Sequence, residues 1–208
     1  MTAAHPTWPT DVPIKLHPQT RRHQANREKL EAAAIREFAS HGLRGAKVSN
    51  IVAAAGLTQP SFYRTWPSKE AAYAEIVSHT REAWYVAARQ VLDGPSSLPL
   101  KDRIYSGVHR LFQLLMHNHE LTRMVLYESR LLPDRYEPFI EIYTGVFETA
   151  QQRALITQRL PAETLAQAYT ALTRRLFMAR LYTRQLSVEA TSREIAELVY
   201  PLIRQEDL

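Results

Sequence analysis

Apolar residues recur at spacings of three and four positions from Leu30 almost to the end of the chain. Leu30, Ala33, Ala34 and Phe38 lie on one face of a first helix, which Gly42 is expected to end. Alternating β-branched runs bounded by hairpin turns, the usual pattern of strands, do not occur in the sequence. The hydrophobic pattern therefore predicts an all-α fold.

Two short helices are predicted next, at residues 48–55 and 59–65. Gly56 separates them and is expected to adopt the backbone conformation of a tight turn. Thr58 is predicted to cap the second of these helices, and Ser68 is predicted to cap the helix that follows. The first third of the chain thus contains short helices joined by brief turns.

The remainder of the chain is a series of longer helical patterns separated by segments rich in Pro, Gly and Ser. These patterns predict helices near residues 69–92, 100–117, 119–131, 135–159, 162–185 and 188–204.

Residues 48–65 have the features of a helix-turn-helix. Three small residues, Ala53 to Ala55, allow the two helices to approach closely, and Leu57 and Phe62 fill the space between them. The second helix then presents an outer face of donors and acceptors without any acidic side chain, as expected of a helix that lies in the major groove. That face consists of Thr58, Gln59, Ser61, Tyr63, Arg64 and Thr65.

Charge is concentrated in the same part of the chain. Residues 21–69 contain nine basic and three acidic side chains, a net of 9 − 3 = +6, whereas the whole chain carries +5. The N-terminal region therefore favours an anionic partner, and the rest is about neutral. Four prolines in the first twenty residues predict a disordered arm over residues 1–20. Arg21, Arg22 and His23, expected just before the first helix, fit an arm that reaches DNA and fit a solvated basic tail equally well.

Several classes of protein are excluded by composition and spacing. The absence of cysteine leaves no disulfide, no thiolate metal site and no thiol nucleophile. His117 and His119 are too poorly spaced on a helix for a metal pair, and Glu137 with Glu141 fits an amphipathic helix start better than a catalytic pair. We expect no catalytic residues, no metal and no cofactor. No apolar run is long enough to span a membrane, and we expect a cytoplasmic location.

The residue types at fixed spacings in the first third of the chain resemble the DNA-binding domain of the tetracycline-repressor (TetR) family, over residues 30–77. The matching positions are Ala33, Ala34, Phe38, Gly42, Ile51, Ala55, Gly56, Phe62, Tyr63, Trp66, Ser68, Lys69 and Glu70. The chain departs from the family pattern at Lys47, where a capping Thr is usual, and at Asn50, where Asp is usual.

The resemblance implies that the chain is a transcriptional regulator, most simply a repressor that a small molecule releases from its operator. Gln59 and Ser61 are expected to face bases, while Tyr63 and Lys69 contact phosphates. The full set of predicted DNA-binding residues is Lys47, Thr58, Gln59, Pro60, Ser61, Tyr63, Arg64, Thr65 and Lys69. The alternative is a helical partner-binding or architectural protein that binds no ligand and keeps a vestigial helix-turn-helix.

By the same resemblance, residues 21–68 form the DNA-binding domain and residues 69–208 an effector-binding and dimerisation domain. Residues 162–204 are expected to pair with a second copy, so that the homodimer reads a palindromic operator in double-stranded DNA. A largely apolar effector would lie among aromatic and apolar side chains whose helical spacing also fits ordinary core packing. Gly107 is expected to leave room beside it. The predicted pocket residues are Trp84, Tyr105, Gly107, Val108, His109, Phe112, Met124, Tyr127, Tyr143, Phe147, Tyr169 and Leu172.

Overall fold

The computed structural model describes residues 18–95, 97–131 and 138–205, with only the backbone described for Pro18 and residues 127–131. The all-α prediction is confirmed, since these ranges contain helices and no strand. Among the described helices, none combines the length and apolar character needed to cross a bilayer. The same residues contain no group of three or more His, Asp or Glu side chains placed to hold a metal ion.

The helices follow the predicted order. They are α1 (Pro18–Gly45), α2 (Val48–Ala55), α3 (Gln59–Thr65), α4 (Lys69–Arg89), α5 (Leu100–His117), α6 (His119–Leu131), α7 (Pro138–Gln152), α8 (Ala162–Leu176), which continues into a π-helical turn at Phe177–Leu181, and α9 (Val188–Ile203).

The first helix begins earlier than the sequence suggested. It starts at Pro18, whose fixed φ and missing N–H suit a first helical turn. Arg21, Arg22 and His23 consequently lie inside α1, and the prediction that they precede it is wrong. Gly42 interrupts α1 with φ 65° and ψ 172°, as the sequence indicated. The disordered arm was predicted over residues 1–20, and its last three residues are helical, so the prediction is wrong there. Residues 1–17 lie outside the described residues.

Two of the later helices are shorter than predicted. Helix α7 ends at Gln152 and not near residue 159, because Ala154 has a positive φ of 52°. The Gln151 amide then donates hydrogen bonds to the carbonyls of Thr157 and Leu160, which holds the loop together. Helix α8 gives way at Phe177 to the π-helical turn, closed by the bond from the Tyr182 N–H to the Phe177 carbonyl at 2.8 Å.

The N-terminal helices share one apolar core. Phe38 of α1 packs edge-on against Tyr73 of α4, with 5.1 Å between ring centroids. Phe62 of α3 and Trp66 are both buried, with 5.4 Å between their ring centroids. The first turns of helix α4 therefore form part of this core. The helix continues to Trp84, which is buried in the C-terminal body, the part of the molecule formed by α5–α9 and the end of α4.

The body is built on two helix pairs, α5 with α9 and α7 with α8. Lys101 of α5 and Glu197 of α9 form an ion pair at 2.6 Å on the outside of the first pair. Tyr143 and Phe147 of α7 enclose Tyr169 of α8, with centroid distances of 4.6 and 5.6 Å. Burial raises the pKa of both tyrosines above the ordinary value, so both phenols are neutral.

Gly107 does not leave room for a ligand. A Cβ atom at this position would lie 2.1 Å from the carbonyl oxygen of Val91, which follows the end of α4. The glycine is therefore needed for a direct contact between α5 and a neighbouring backbone. The expectation that Gly107 borders open space is wrong, because a side chain at this position would point directly at the Val91 backbone.

Gly107→Ala should lower the free energy of unfolding by about 1–3 kcal/mol, since overpacking forces the backbone apart. Gly145→Ala is the matched control, because a Cβ there meets nothing within 4 Å on α7. Replacing this helical glycine should raise stability by about 0.5–1 kcal/mol. Urea unfolding followed by circular dichroism measures both changes. A Gly107→Ala protein as stable as the parent would contradict the close packing.

Candidate DNA interface

Helix α3 is held against α2 by a turn of defined geometry. Gly56 has φ 64° and ψ 33°, the left-handed backbone conformation that residues other than glycine rarely adopt. The Leu57 N–H donates a hydrogen bond to the Val52 carbonyl at 2.9 Å. Phe62 of α3 is fully buried beneath this turn. The predicted helix-turn-helix is therefore present, and one face of α3 is fixed inward.

The opposite face of α3 projects into solvent. Gln59, Pro60 and Tyr63 are exposed there, and Tyr63 retains 53% of its accessible surface although it is aromatic. Pro60 lies in the first turn, where a missing N–H costs the helix nothing. A short helix with amide, phenol and apolar groups on its free face has the chemistry to read base edges.

Ser61 lies at the side of this face and is half-buried. Its hydroxyl lies 3.2 Å from the Thr58 hydroxyl and accepts a hydrogen bond from the Arg64 guanidinium at 3.1 Å. The Thr65 hydroxyl donates to the Ser61 carbonyl at 3.1 Å. Ser61 therefore links three of the predicted DNA-binding residues to one another.

Thr58 occupies the N-cap position of α3, but its side chain makes no capping hydrogen bond. The predicted N-cap position is therefore confirmed, but the Thr58 hydroxyl lies against Ser61 and supplies no capping bond. The Ser68 cap is confirmed, since its hydroxyl accepts from the Ala71 N–H at 3.0 Å.

Lys47 precedes α2 with an exposed side chain, and its backbone is held by a residue that the sequence did not single out. The Glu37 carboxylate accepts a hydrogen bond from the Lys47 N–H and another from the Asn50 amide, both at 3.0 Å. This carboxylate ties the residue before α2 and the first turn of α2 to α1, although no side chain caps the helix. An Asp at position 50 would place two carboxylates together, which explains why Asn suits this chain.

Lys69 begins α4 and connects it to the end of α1. Its ammonium donates to the carbonyls of Arg44 and Ala46, at 3.2 and 3.0 Å. Two of the three ammonium donors are therefore used inside the protein. This geometry gives Lys69 a positioning role, and its predicted phosphate contact stays a prediction.

Most of the predicted pocket residues lie in the interior of the body. Tyr105 and His109 are half-buried on α5 and stack with 5.5 Å between ring centroids. Leu172 is also half-buried, and the side chain of Tyr127 lies outside the described residues. The remaining members are buried, namely Trp84, Gly107, Val108, Phe112, Met124, Tyr143, Phe147 and Tyr169.

A cavity of about 270 Å³ also borders the body. Leu92, Arg103 and Leu155 line it together with residues 97–100, and none of these is a predicted pocket residue. The Arg103 guanidinium beside this cavity donates to the carbonyls of Leu98 and Pro95. Arg103 therefore secures the connection before α5.

The chain is similar to known regulators over most of its length. Residues 30–76 match the family described as "Bacterial regulatory proteins, tetR family". YdgC, an uncharacterized HTH-type transcriptional regulator of Bacillus subtilis (strain 168), is 27% identical over 84% of this chain and 90% of its own length. The HTH-type transcriptional repressor SCO4008 of Streptomyces coelicolor is 27% identical over 68% of this chain and 73% of its own length.

Solved structures share the fold at lower identity. The SmeT–triclosan complex superposes with a TM-score of 0.67 at 14% identity, covering 88% of this chain and 93% of that chain. With the buried turn and exposed α3, these matches define the protein as a helix-turn-helix DNA-binding transcriptional regulator. Over residues 30–76 its sequence matches the TetR family of bacterial regulatory proteins.

Glu37→Ala should lower the free energy of unfolding by about 0.5–1.5 kcal/mol, the range of a lost hydrogen bond, because the Lys47 N–H and the Asn50 amide lose their shared acceptor. Glu28→Ala is the control, since it removes the same charge from an exposed position on α1. Thermal unfolding of the full chain measures both. Equal effects of the two substitutions would show that Glu37 contributes only its charge.

Proposed function

We propose that the protein is a homodimeric repressor that binds a palindromic operator and leaves it when a small molecule binds the body. The exposed polar face of α3 is the observation that carries the DNA-binding part of this proposal. The release of DNA and the dimer are inferred from further features of the body.

Base recognition is assigned to the outer face of α3. Gln59 is exposed near the N-terminal end of the helix, and a glutamine amide can form two hydrogen bonds with an adenine edge. Tyr63 lies one turn further along the same face, where its hydroxyl suits a phosphate oxygen. Ser61 is half-buried, so its proposed base contact requires the DNA to reach the side of the helix.

A second copy of the chain is the proposed partner of α9. Leu198 and Leu202 are one turn apart and retain 50% and 55% of their surface, whereas Ile195 and Val199 of the same helix are buried. Apolar residues exposed at this spacing favour packing against another helix. Ala168 and Leu172 extend the candidate surface on α8, which contacts α9. Two copies would present two α3 helices to the two halves of a palindrome.

Binding of an effector is supported by polar atoms inside the body. Among the described residues of the body, the His109 Nδ1 atom and the Thr170 hydroxyl are buried without a hydrogen-bond partner. Buried polar atoms are normally paired, and a ligand is one way to pair them. His109 and Tyr169 belong to the predicted pocket, where aromatic walls would suit a largely apolar molecule.

The comparisons favour this proposal over a vestigial helix-turn-helix. SCO4008 is described as a repressor, and SmeT has been solved with triclosan. We infer by analogy that this chain represses transcription and responds to a small molecule. Binding to a selected operator in the presence of excess unrelated DNA tests the central claim. Loss of binding under competition would overturn it.

Gln59→Ala should weaken operator binding by about 1–3 kcal/mol, with most of the loss at one base pair of each half-site, because one side chain reads one base. Tyr63→Phe is the companion variant. It removes only a hydroxyl and should weaken all sequences alike if that hydroxyl contacts phosphate. Binding to a panel of single-base operator variants measures both. An identical change in base preference would refute the assignment.

Leu198→Glu should convert the dimer to a monomer at micromolar concentration, because two charges would be buried at the centre of the proposed interface. Leu114→Glu on α5 is the control, since Leu114 is also an exposed leucine, with 37% of its surface accessible. Sedimentation velocity distinguishes the two states. A monomeric parent protein would refute the proposed dimer.

A further inference from the structure

A polar groove runs between the beginning of α1 and the helix-turn-helix, with a volume of about 560 Å³. Helix α1 forms one wall, and the turn before α3 with one side of α3 forms the other. On the helix-turn-helix side it is lined by Gly56, Leu57, Thr58, Ser61 and Arg64. The groove borders the outer face of α3 but does not include Gln59 or Tyr63.

The α1 wall is a continuation of the face that enters the core. Gln19, Arg22, His23 and Asn26 are spaced by three, one and three residues, which places them on one side of a helix. The next residue of the same stripe is Leu30, which is fully buried. The stripe thus changes from apolar to polar where α1 passes beyond the core, and its polar part still faces α3.

Arg27 fixes the direction of this part of α1. Its guanidinium pairs with Glu75 of α4 and lies 5.7 Å from the centre of the Trp66 ring. Both contacts join α1 to the residues that follow α3. The distance between the two walls of the groove is therefore set by internal contacts and does not depend on a bound molecule.

The charges in the groove have one sign. Its ionisable lining residues are Arg22, His23 and Arg64, and no acidic residue lines it. The guanidinium of Arg64 donates to Ser61, which orients it along the groove wall. Arginine recognises phosphate through paired N–H donors, and hydroxyl and amide groups such as those of Thr58 and Asn26 suit phosphate and sugar oxygens.

We propose that this groove receives the sugar–phosphate backbone beside the major groove that α3 enters, with Arg22 and Arg64 contacting phosphates from opposite walls. The start of α1 is then a second DNA-binding element, fixed by the fold. The inference rests on the proposed DNA-binding function and adds Gln19, Arg22, His23 and Asn26 to the interface. Because phosphates are present in every sequence, these contacts supply affinity and register without base preference.

The salt dependence of binding by Arg22→Ala tests the proposal. Loss of one phosphate contact should reduce the slope of log affinity against log salt by about 0.9. Between about 50 and 200 mM salt, the parent should lose about 3.5-fold more affinity than the variant. The reduction should be the same for a selected operator duplex and for an unrelated duplex of equal length.

Arg21→Ala is the matched control, because Arg21 is the adjacent arginine on α1 and does not line the groove. Its salt slope should remain at the parental value. Equal reductions by both substitutions would mean a diffuse effect of charge and would overturn the groove assignment.

Asn26→Asp provides a second test in which nearly the same shape carries a negative charge. It should weaken binding to both duplexes, while thermal unfolding confirms that the fold is kept. Parental affinity and slope in both Arg22→Ala and Asn26→Asp would refute the inference. If the parent protein binds no operator, the proposed function has failed. If the parent binds its operator and both variants bind in the same way as the parent, only the groove assignment has failed.

Discussion

The burial of Phe62 and Trp66 fixes the orientation of α3, and the exposed face that we propose meets DNA depends on that orientation. Complete burial of one such aromatic side chain is worth roughly 1.5–3 kcal/mol, and these two anchor a helix of seven residues that has little stability of its own. Because the aromatic face of α3 is buried, Gln59 and Tyr63 on the opposite face are exposed to solvent. The same anchoring positions Ser61 and Arg64 at the edge of the α1 groove.

Helix α1 connects this surface to the rest of the molecule. Its apolar stripe forms much of the N-terminal core, and Arg123 of α6 donates a hydrogen bond to the Ala39 carbonyl on its other side. Helix α4 makes a second connection, from Lys69 beside the end of α1 to Trp84 inside the body. The body is therefore joined to the helix-turn-helix through both α1 and α4. The close contact of Gly107 with Val91 makes the end of α4 part of the same packed unit.

The departures from the family pattern are compensated by one residue. Lys47 cannot cap α2 with its side chain, and Glu37 supplies the acceptor from the neighbouring helix α1. Asn50 is then required as a donor and not as a carboxylate. The pair shows how a local capping motif can be exchanged for a contact between helices that are distant in sequence. The start of α2 is thereby held against α1, and the cation at Lys47 remains exposed.

The sequence by itself determined the all-α class, the order of the helices and the helix-turn-helix, because those features depend on local periodicity, on Gly56 and on Pro60. It also identified which residues α3 exposes at Gln59 and Tyr63, since Phe62 had to be buried. Only the tertiary structure decided that Glu37 accepts hydrogen bonds from Lys47 and Asn50, that the Lys69 ammonium binds two carbonyls, and that Gly107 meets Val91. These depend on contacts between residues separated by ten or more positions, and helical spacing carries no information about which distant helix lies opposite. For the same reason, the sequence identifies Arg22 and His23 as basic residues but does not indicate the groove that they form with α3.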